Sequence, residues 1–162
     1  MAGARREGAD AYQRALGLLV RREHSRRDLA RKLAQRGIEP AEAEAAVERL
    51  AGQGYQDDQR FAESFARDRC AAGYGPVRIR VELAGHGLAE DAIQAALAAC
   101  EADWPALARR QVERRWRAAE LADPARRRKA VEFLLRRGFD QDAAWSAVRA
   151  APGEETAGDF GD

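Results

Sequence analysis

The chain is poor in the residue types that carry most protein chemistry. Its two cysteines, Cys70 and Cys100, stand 30 residues apart in a chain of 162. That is neither a disulfide framework nor a metal-ligand spacing. The two histidines, His24 and His86, are also far apart, and His86 sits where a cation at a helix end is expected. No phosphate-cradling glycine loop, HExxH pattern or nucleophile elbow is present. Asp57-Asp58 reads as a helix cap rather than a catalytic carboxylate pair. No enzyme activity, metal or cofactor is therefore expected. No run approaches the roughly 20 apolar residues that a bilayer span requires, and the opening MAGARREGAD has no apolar core of a secretion signal. The expected location is the cytoplasm. Lysine is scarce too: Lys32 and Lys129 are the only lysines among 28 basic residues. Arginine makes bidentate contacts to phosphate and carboxylate that lysine does not, although a guanine- and cytosine-rich genome also favours its codons.

What is present is charge, unevenly placed. The formal net charge is +1, but residues 1–40 carry +5 and residues 101–140 carry +4, whereas residues 41–60 carry −3 and residues 141–162 carry −4.

The organising feature is an internal repeat, which is sought before local structure because it fixes the fold. Gly37, Gly87 and Gly138 are preceded by Arg36, His86 and Arg137 and followed by Ile38, Leu88 and Phe139. Leu33, Leu83 and Leu134 stand four residues before the glycines, and Leu29, Ile79 and Ala130 four earlier again. Downstream, Ala43, Ile93 and Ala144 correspond, as do Val47, Leu97 and Val148. A helix closed by a left-handed glycine packs the next residue back onto its last turn, and the basic residue suits the helix's negative end.

This repeat decides an ambiguous stretch. VRIRVEL, residues 77–83, alternates apolar and polar residues as a half-buried strand does. Its counterparts HSRRDLARKLAQRG and DPARRRKAVEFLLRRG do not alternate, and they open with the helix caps Ser25 and Asp123-Pro124. Residues 76–86 are therefore expected to be helical, with Ile79 and Leu83 buried. Each copy begins with another helix: Ala11–Arg22 with Leu16, Leu19 and Val20; a segment capped by Asp57 with Phe61 and Phe65; and one opened by Asp103-Trp104-Pro105 with Ala108, Val112 and Trp116. A third helix follows each glycine, at about 40–51, 90–101 and 141–150. The expected fold is all-α: three tandem three-helix, helix-turn-helix-like repeats at 10–54, 55–102 and 103–150, forming an elongated, curved molecule. Residues 1–9 and the acidic tail 151–162 are expected to be disordered.

Arginines collect at the starts of the middle helices: Arg26 and Arg27, Arg78 and Arg80, and Arg126, Arg127, Arg128 with Lys129. Cations there oppose the helix dipole. Two readings stand: a solvated face with local pairs such as Arg128 with Glu132, or a surface for an anionic partner, nucleic acid or acidic protein. Tyr74, between Gly73 and Gly75, either stacks on a base or partner or packs on its own middle helix. Trp104, Trp116 and Trp145 read as packing residues, and Cys100 as a small core residue.

The block DDQRFAESFARDRCAAGYGPVRIRVELAGHGL, residues 57–88, closely resembles the signature of the RecX family of bacterial regulatory proteins. The flanking LLVRREHSRRDLARKLAQRG and KAVEFLLRRGF fit as well, so the resemblance covers roughly residues 11–150. It implies a non-enzymatic modulator of the recombinase RecA. Such a protein binds the RecA filament on single-stranded DNA, along its groove. It suppresses ATP hydrolysis, strand exchange and co-protease activity, and so modulates recombination and the SOS response. It further implies that Arg67, Arg69, Tyr74, Arg78 and Arg80 face the filament. The basic stretches with Arg26, Arg27 and Arg31 and with Arg126, Arg127, Arg128 and Lys129 extend that surface, with direct DNA contact open. A monomer is expected. The rival reading is a free-standing helical-repeat DNA-binding protein, against which the modest net charge and the lack of a base-reading helix argue. A purely structural scaffold leaves the arginines without a role.

Overall fold

Left-handed glycines end the middle helices as the repeat predicts. The computed structural model of the protein describes residues 2–151, and φ is +80° at Gly37, +80° at Gly87 and +91° at Gly138. The following N–H groups close two of these caps, Ile38 donating to the Leu33 carbonyl at 3.2 Å and Phe139 to that of Leu134 at 3.1 Å. Gly73 ends a further helix in the same conformation, with Tyr74 donating to the Arg69 carbonyl at 3.0 Å.

Nine α-helices are found among the described residues, with no strand: α1 (Ala2–Leu19), α2 (Arg26–Ala34), α3 (Pro40–Gly52), α4 (Asp58–Ala71), α5 (Pro76–Gly85), α6 (Glu90–Ala99), α7 (Trp104–Glu113), α8 (Pro124–Arg137) and α9 (Gln141–Arg149). The alternating stretch is helix α5, as the repeat requires. Caps set the starts. Ser25 Oγ accepts from the Asp28 N–H at 3.1 Å, Asp57 from Arg60 at 2.8 Å, Asp103 from Ala106 at 2.9 Å and Asp123 from Ala125 at 2.9 Å. Each satisfies a donor that the first turn leaves without an intrahelical partner.

Three expectations are corrected. The first helix begins at Ala2, not near Ala11, so residues 2–9 are helical. Their sequence has no proline, and alanine and arginine, which favour helix, outnumber Gly3 and Gly8, which do not. The same helix ends at Leu19, and Val20, expected on its apolar face, is 79% exposed. A 3-10 helix at Ala118–Ala122, which the repeat does not contain, connects α7 to α8 and buries Leu121. The tail 152–162 lies outside the described residues.

The core positions read from the repeat are buried in all three copies. Leu29, Leu33, Ile79, Leu83, Ala130 and Leu134 are fully enclosed, and Ala43, Ile93, Ala144, Val47, Leu97 and Val148 are buried as well. In the first copy α1 packs on α2 and α3, with Ala15, Leu29, Leu33, Val47 and Leu50 at the centre. In the third, α7, α8 and α9 enclose Leu107, Val112, Val131, Leu134 and Phe139, with Trp104, Trp116 and Trp145 packed against them.

Compactness does not follow the repeat. One unit takes in the chain up to Arg67 together with Glu82–Cys100, and the other takes in Asp68–Val81 together with the chain from Glu101 onward. The second repeat is thus shared. The end of α4, the 72–75 turn and the start of α5 belong with the third repeat.

Candidate functional site

In the second unit the start of α5 meets the end of α8. The last carbonyls of α8 have no acceptor role inside their own helix. Gly75 N–H donates to the Arg137 carbonyl at 2.8 Å and Val77 N–H to that of Gly138 at 2.9 Å. The positive end of one helix dipole therefore lies against the negative end of another. Both glycines are required by proximity: a Cβ on Gly75 would come within 2.3 Å of the Gly138 carbonyl oxygen.

This clasp assembles a cluster of arginines around one ring. Tyr74 is half-buried, and the guanidinium carbons of Arg78, Arg137 and Arg69 lie 4.5, 4.7 and 5.3 Å from its ring centroid. Arg137 also donates to the Ala72 carbonyl at 2.9 Å, and Arg78 reaches that of Arg136 at 3.4 Å. The alternation of arginine and ring continues. Arg137 lies 5.4 Å and Arg115 4.9 Å from the Phe133 centroid, and Arg115 lies 5.7 Å from Trp116, which meets Phe133 edge-on. Each such contact is worth about 0.5–1 kcal/mol at an exposed site. Three cations around one ring repel each other at separations comparable with the ~8 Å Debye length at physiological salt.

Tyr74 is consequently no open stacking platform, because guanidinium groups already pack around its ring. The structure brings together Arg69, Tyr74 and Arg78, and adds Arg137 and Arg115, which sequence reasoning missed as site residues. Arg137 was legible only as a helix-end cation in the third copy.

Arg126, Arg127, Arg128 and Lys129 lie at the other end of α8, roughly 15 Å from Arg137 at 1.5 Å per residue. Arg126 pairs with Glu120, and Arg127 reaches the Ala122 carbonyl at 3.4 Å. Arg128 turns to the Pro124 carbonyl at 3.5 Å rather than to Glu132, the pair that the solvated-face reading offered. Lys129 is exposed and makes no ion pair among the described residues. Arg80 is half-buried on α5.

In the first unit several cations meet carboxylates. Arg26 pairs with Glu48 of α3, and its backbone N–H donates to Asp58 at 2.9 Å. Arg31 pairs with Asp28 at 2.6 Å. Arg27 and, on α4, Arg67 are exposed and make no ion pair among the described residues. The groove between α2 and α3 carries both signs, with Arg26 and Arg27 facing Glu44 and Glu48 over alanines.

This unit also holds a buried polar network. His24 Nδ1 donates to the Asp28 carboxylate at 2.7 Å, while Ser25 Oγ and His86 Nδ1 are 2.9 Å apart. The His86 ring packs against Phe61 and Phe65. Burial lowers the pKa of both histidines below the usual 6.5. His86 is therefore a neutral, packed ring at neutral pH, not the helix-end cation expected from its alignment with Arg36 and Arg137. Burial alone would raise the Asp28 carboxyl, but hydrogen bonds from Arg31, His24 and Lys32 more than offset it. They hold the group well below the usual carboxylate range. The consequence for stability follows from proton linkage. The unfolded histidines bind protons more readily than the folded ones, so stability falls as pH drops below about 6.5. The Asp28 contribution persists down to its unfolded value of 3.8. Urea midpoints measured between pH 7.5 and 5 should fall, and the fall should shrink in a His24→Gln variant. A flat profile would contradict the buried neutral state.

The fold and this surface define a class: an all-α protein of tandem three-helix repeats presenting arginine clusters, with no group of three or more potential metal ligands among the described residues. No helix among those residues is long and apolar enough to cross a membrane. Family models described as the first, second and third three-helix domains of RecX match residues 11–50, 57–97 and 101–148. The chain belongs to the RecX family. It is 54% identical over 147 residues to the regulatory protein RecX of Xanthomonas campestris pv. campestris, covering 91% of each chain. It is 54% identical over 140 residues to that of Stenotrophomonas maltophilia, covering 86% of each. Among solved structures, a crystal structure of regulatory protein RecX is similar with a TM-score of 0.68 at 26% identity, over 87% of this chain and 71% of that one. The crystal structure of RecX from Lactobacillus salivarius shares the fold with a TM-score of 0.72 at 21% identity, over 88% and 95%.

Proposed function

We propose that this protein is a non-enzymatic regulator of RecA. It acts in the cytoplasm as a monomer, binds the RecA filament on single-stranded DNA along its groove, and suppresses ATP hydrolysis, strand exchange and co-protease activity. Recombination and the SOS response are restrained as a result. Membership of the RecX family supports this reading, and the crowding of Arg69, Arg78 and Arg137 around Tyr74 is the observation that carries it. Such a cluster suits a polyanionic assembly. Because guanidinium groups surround the ring, the cluster suits phosphate or carboxylate contact better than base stacking. Cations in both units give linked contacts, which raise avidity without any single strong one.

The test is a titration of RecA-driven ATP hydrolysis on single-stranded DNA, with binding measured to naked DNA, to RecA alone and to the assembled filament. Inhibition is expected at well below one copy per RecA protomer, with binding strongest to the filament. Equal affinity for naked DNA would favour a free-standing DNA-binding protein. No effect at any dose would refute the regulatory reading.

A further inference from the structure

Residues two apart in a helix fall about 200° apart, so VRIRVEL, folded as α5, places two apolar pairs on opposing faces. Ile79 and Leu83 are fully buried, whereas Val77 is 48% and Val81 66% exposed. Neither side chain of the outward pair is among the buried residues. Valine is a weaker helix former than alanine, because the branched side chain loses rotamer freedom against the preceding turn. The fold does not call for it either. At the equivalent positions the first repeat has Arg27 and Arg31, and the third has Arg128 and Glu132. Only the second repeat replaces charged residues there with β-branched aliphatics.

The neighbourhood extends the patch and gives it a sign. The first turn of α5 is bonded to the last turn of α8 through Val77 N–H and the Gly138 carbonyl. That turn of α8 exposes Leu135, 43% accessible, alongside Arg136. Arg78 and Arg137 flank the same junction. An apolar stripe rimmed by cations fits a partner with the opposite arrangement.

We infer that the outer stripe of α5, Val77 and Val81 with Leu135 of α8, docks a protein surface that offers an apolar ridge edged by carboxylates. A nucleic-acid backbone has no apolar group to cover these side chains, so of the two components of a nucleoprotein filament the stripe selects the protein. This rests on the reading proposed above and assigns one part of it. The clustered arginines meet anionic groups, and the valines give the specific protein contact.

The experiment compares the parent protein with Val77→Ala/Val81→Ala, measuring affinity for preassembled RecA filaments on single-stranded DNA and for the DNA alone. Alanine is the better helix former, so the melting temperature should not fall. Filament affinity should drop at least tenfold, with binding to naked DNA unchanged. The salt dependence of filament binding should be unchanged too, since no charge is removed. A second pair of variants tests the rim: Val81→Glu should bind more weakly than Val81→Lys, whose stem covers apolar surface and whose charge suits carboxylates. If the parent binds filaments and the double variant binds equally well, the inference fails while the regulatory reading stands. It fails also if naked-DNA affinity drops in parallel, if the lysine variant is the weaker, or if sedimentation shows a parent dimer that the variant abolishes. A parent that binds no filament removes the regulatory reading, and the inference with it.

Discussion

Gly138→Ala is expected to destabilise the protein by about 3–8 kcal/mol, far more than the same change at Gly37, from a strained backbone and an unpartnered clasp together. Both glycines close a middle helix, with φ of +91° and +80°. Any L-residue in that conformation costs about 1–2 kcal/mol. At Gly37 that is the whole cost, because nothing lies within 4 Å of where the Cβ would go. At Gly138 the added carbon would stand 2.2 Å from Arg78 Cβ and 2.6 Å from Arg78 N. Those are atoms of the backbone or next to it, which no rotamer change can move. The start of α5 must then back away from the end of α8, stretching the Gly75–Arg137 and Val77–Gly138 hydrogen bonds. Buried backbone groups left without partners cost about 1–3 kcal/mol each. Urea denaturation of the two variants gives the comparison directly. Equal losses would mean that the clasp between α5 and α8 contributes nothing.

Reversing Arg128 and Lys129 together to glutamate is expected to weaken filament binding roughly tenfold or more and leave stability within about 0.5 kcal/mol, the usual range for surface changes. Both side chains are exposed and neither pairs with a carboxylate among the described residues. Their removal therefore breaks no native ion pair there. A glutamate at position 128 stands one turn from Glu132 and costs a few tenths of a kcal/mol, as like charges at i, i+4 do. If phosphates are the partner, the slope of log affinity against log salt should fall by about one for each phosphate no longer neutralised. Arg78, by contrast, is a poor choice for this test, since it packs on Tyr74 and on the end of α8. Its removal would confound folding with binding. Unchanged affinity and salt slope in the Arg128→Glu/Lys129→Glu variant would remove the start of α8 from the interface.

Most of the helices, their register and most of their buried faces were legible in the residues alone. These depend on local rules acting within a few residues: cap side chains, the i, i+4 spacing of Leu29 and Leu33 or Ile79 and Leu83, and glycine's tolerance of left-handed backbone. Threefold repetition turned each weak signal into a consistent one, strong enough to overrule the alternation of VRIRVEL. The resemblance to the family rested instead on one long block, residues 57–88. Local rules extended less well to the ends, where helix-forming residues 2–9 carry no repeat signal to identify them. Which surfaces meet was settled by the packing of the helices. Tyr74 and Arg137 are brought together through a backbone clasp between two helix ends, and no periodicity encodes such a meeting. The same holds for His86, aligned with arginines yet neutral because Phe61, Phe65 and Ser25 enclose it. It holds as well for the division of the second repeat, whose residues 68–81 join the chain beyond Glu101. Repetition reports which residues are equivalent. Contact between non-equivalent surfaces depends on shape and on which helix-end backbone groups packing brings within reach of each other.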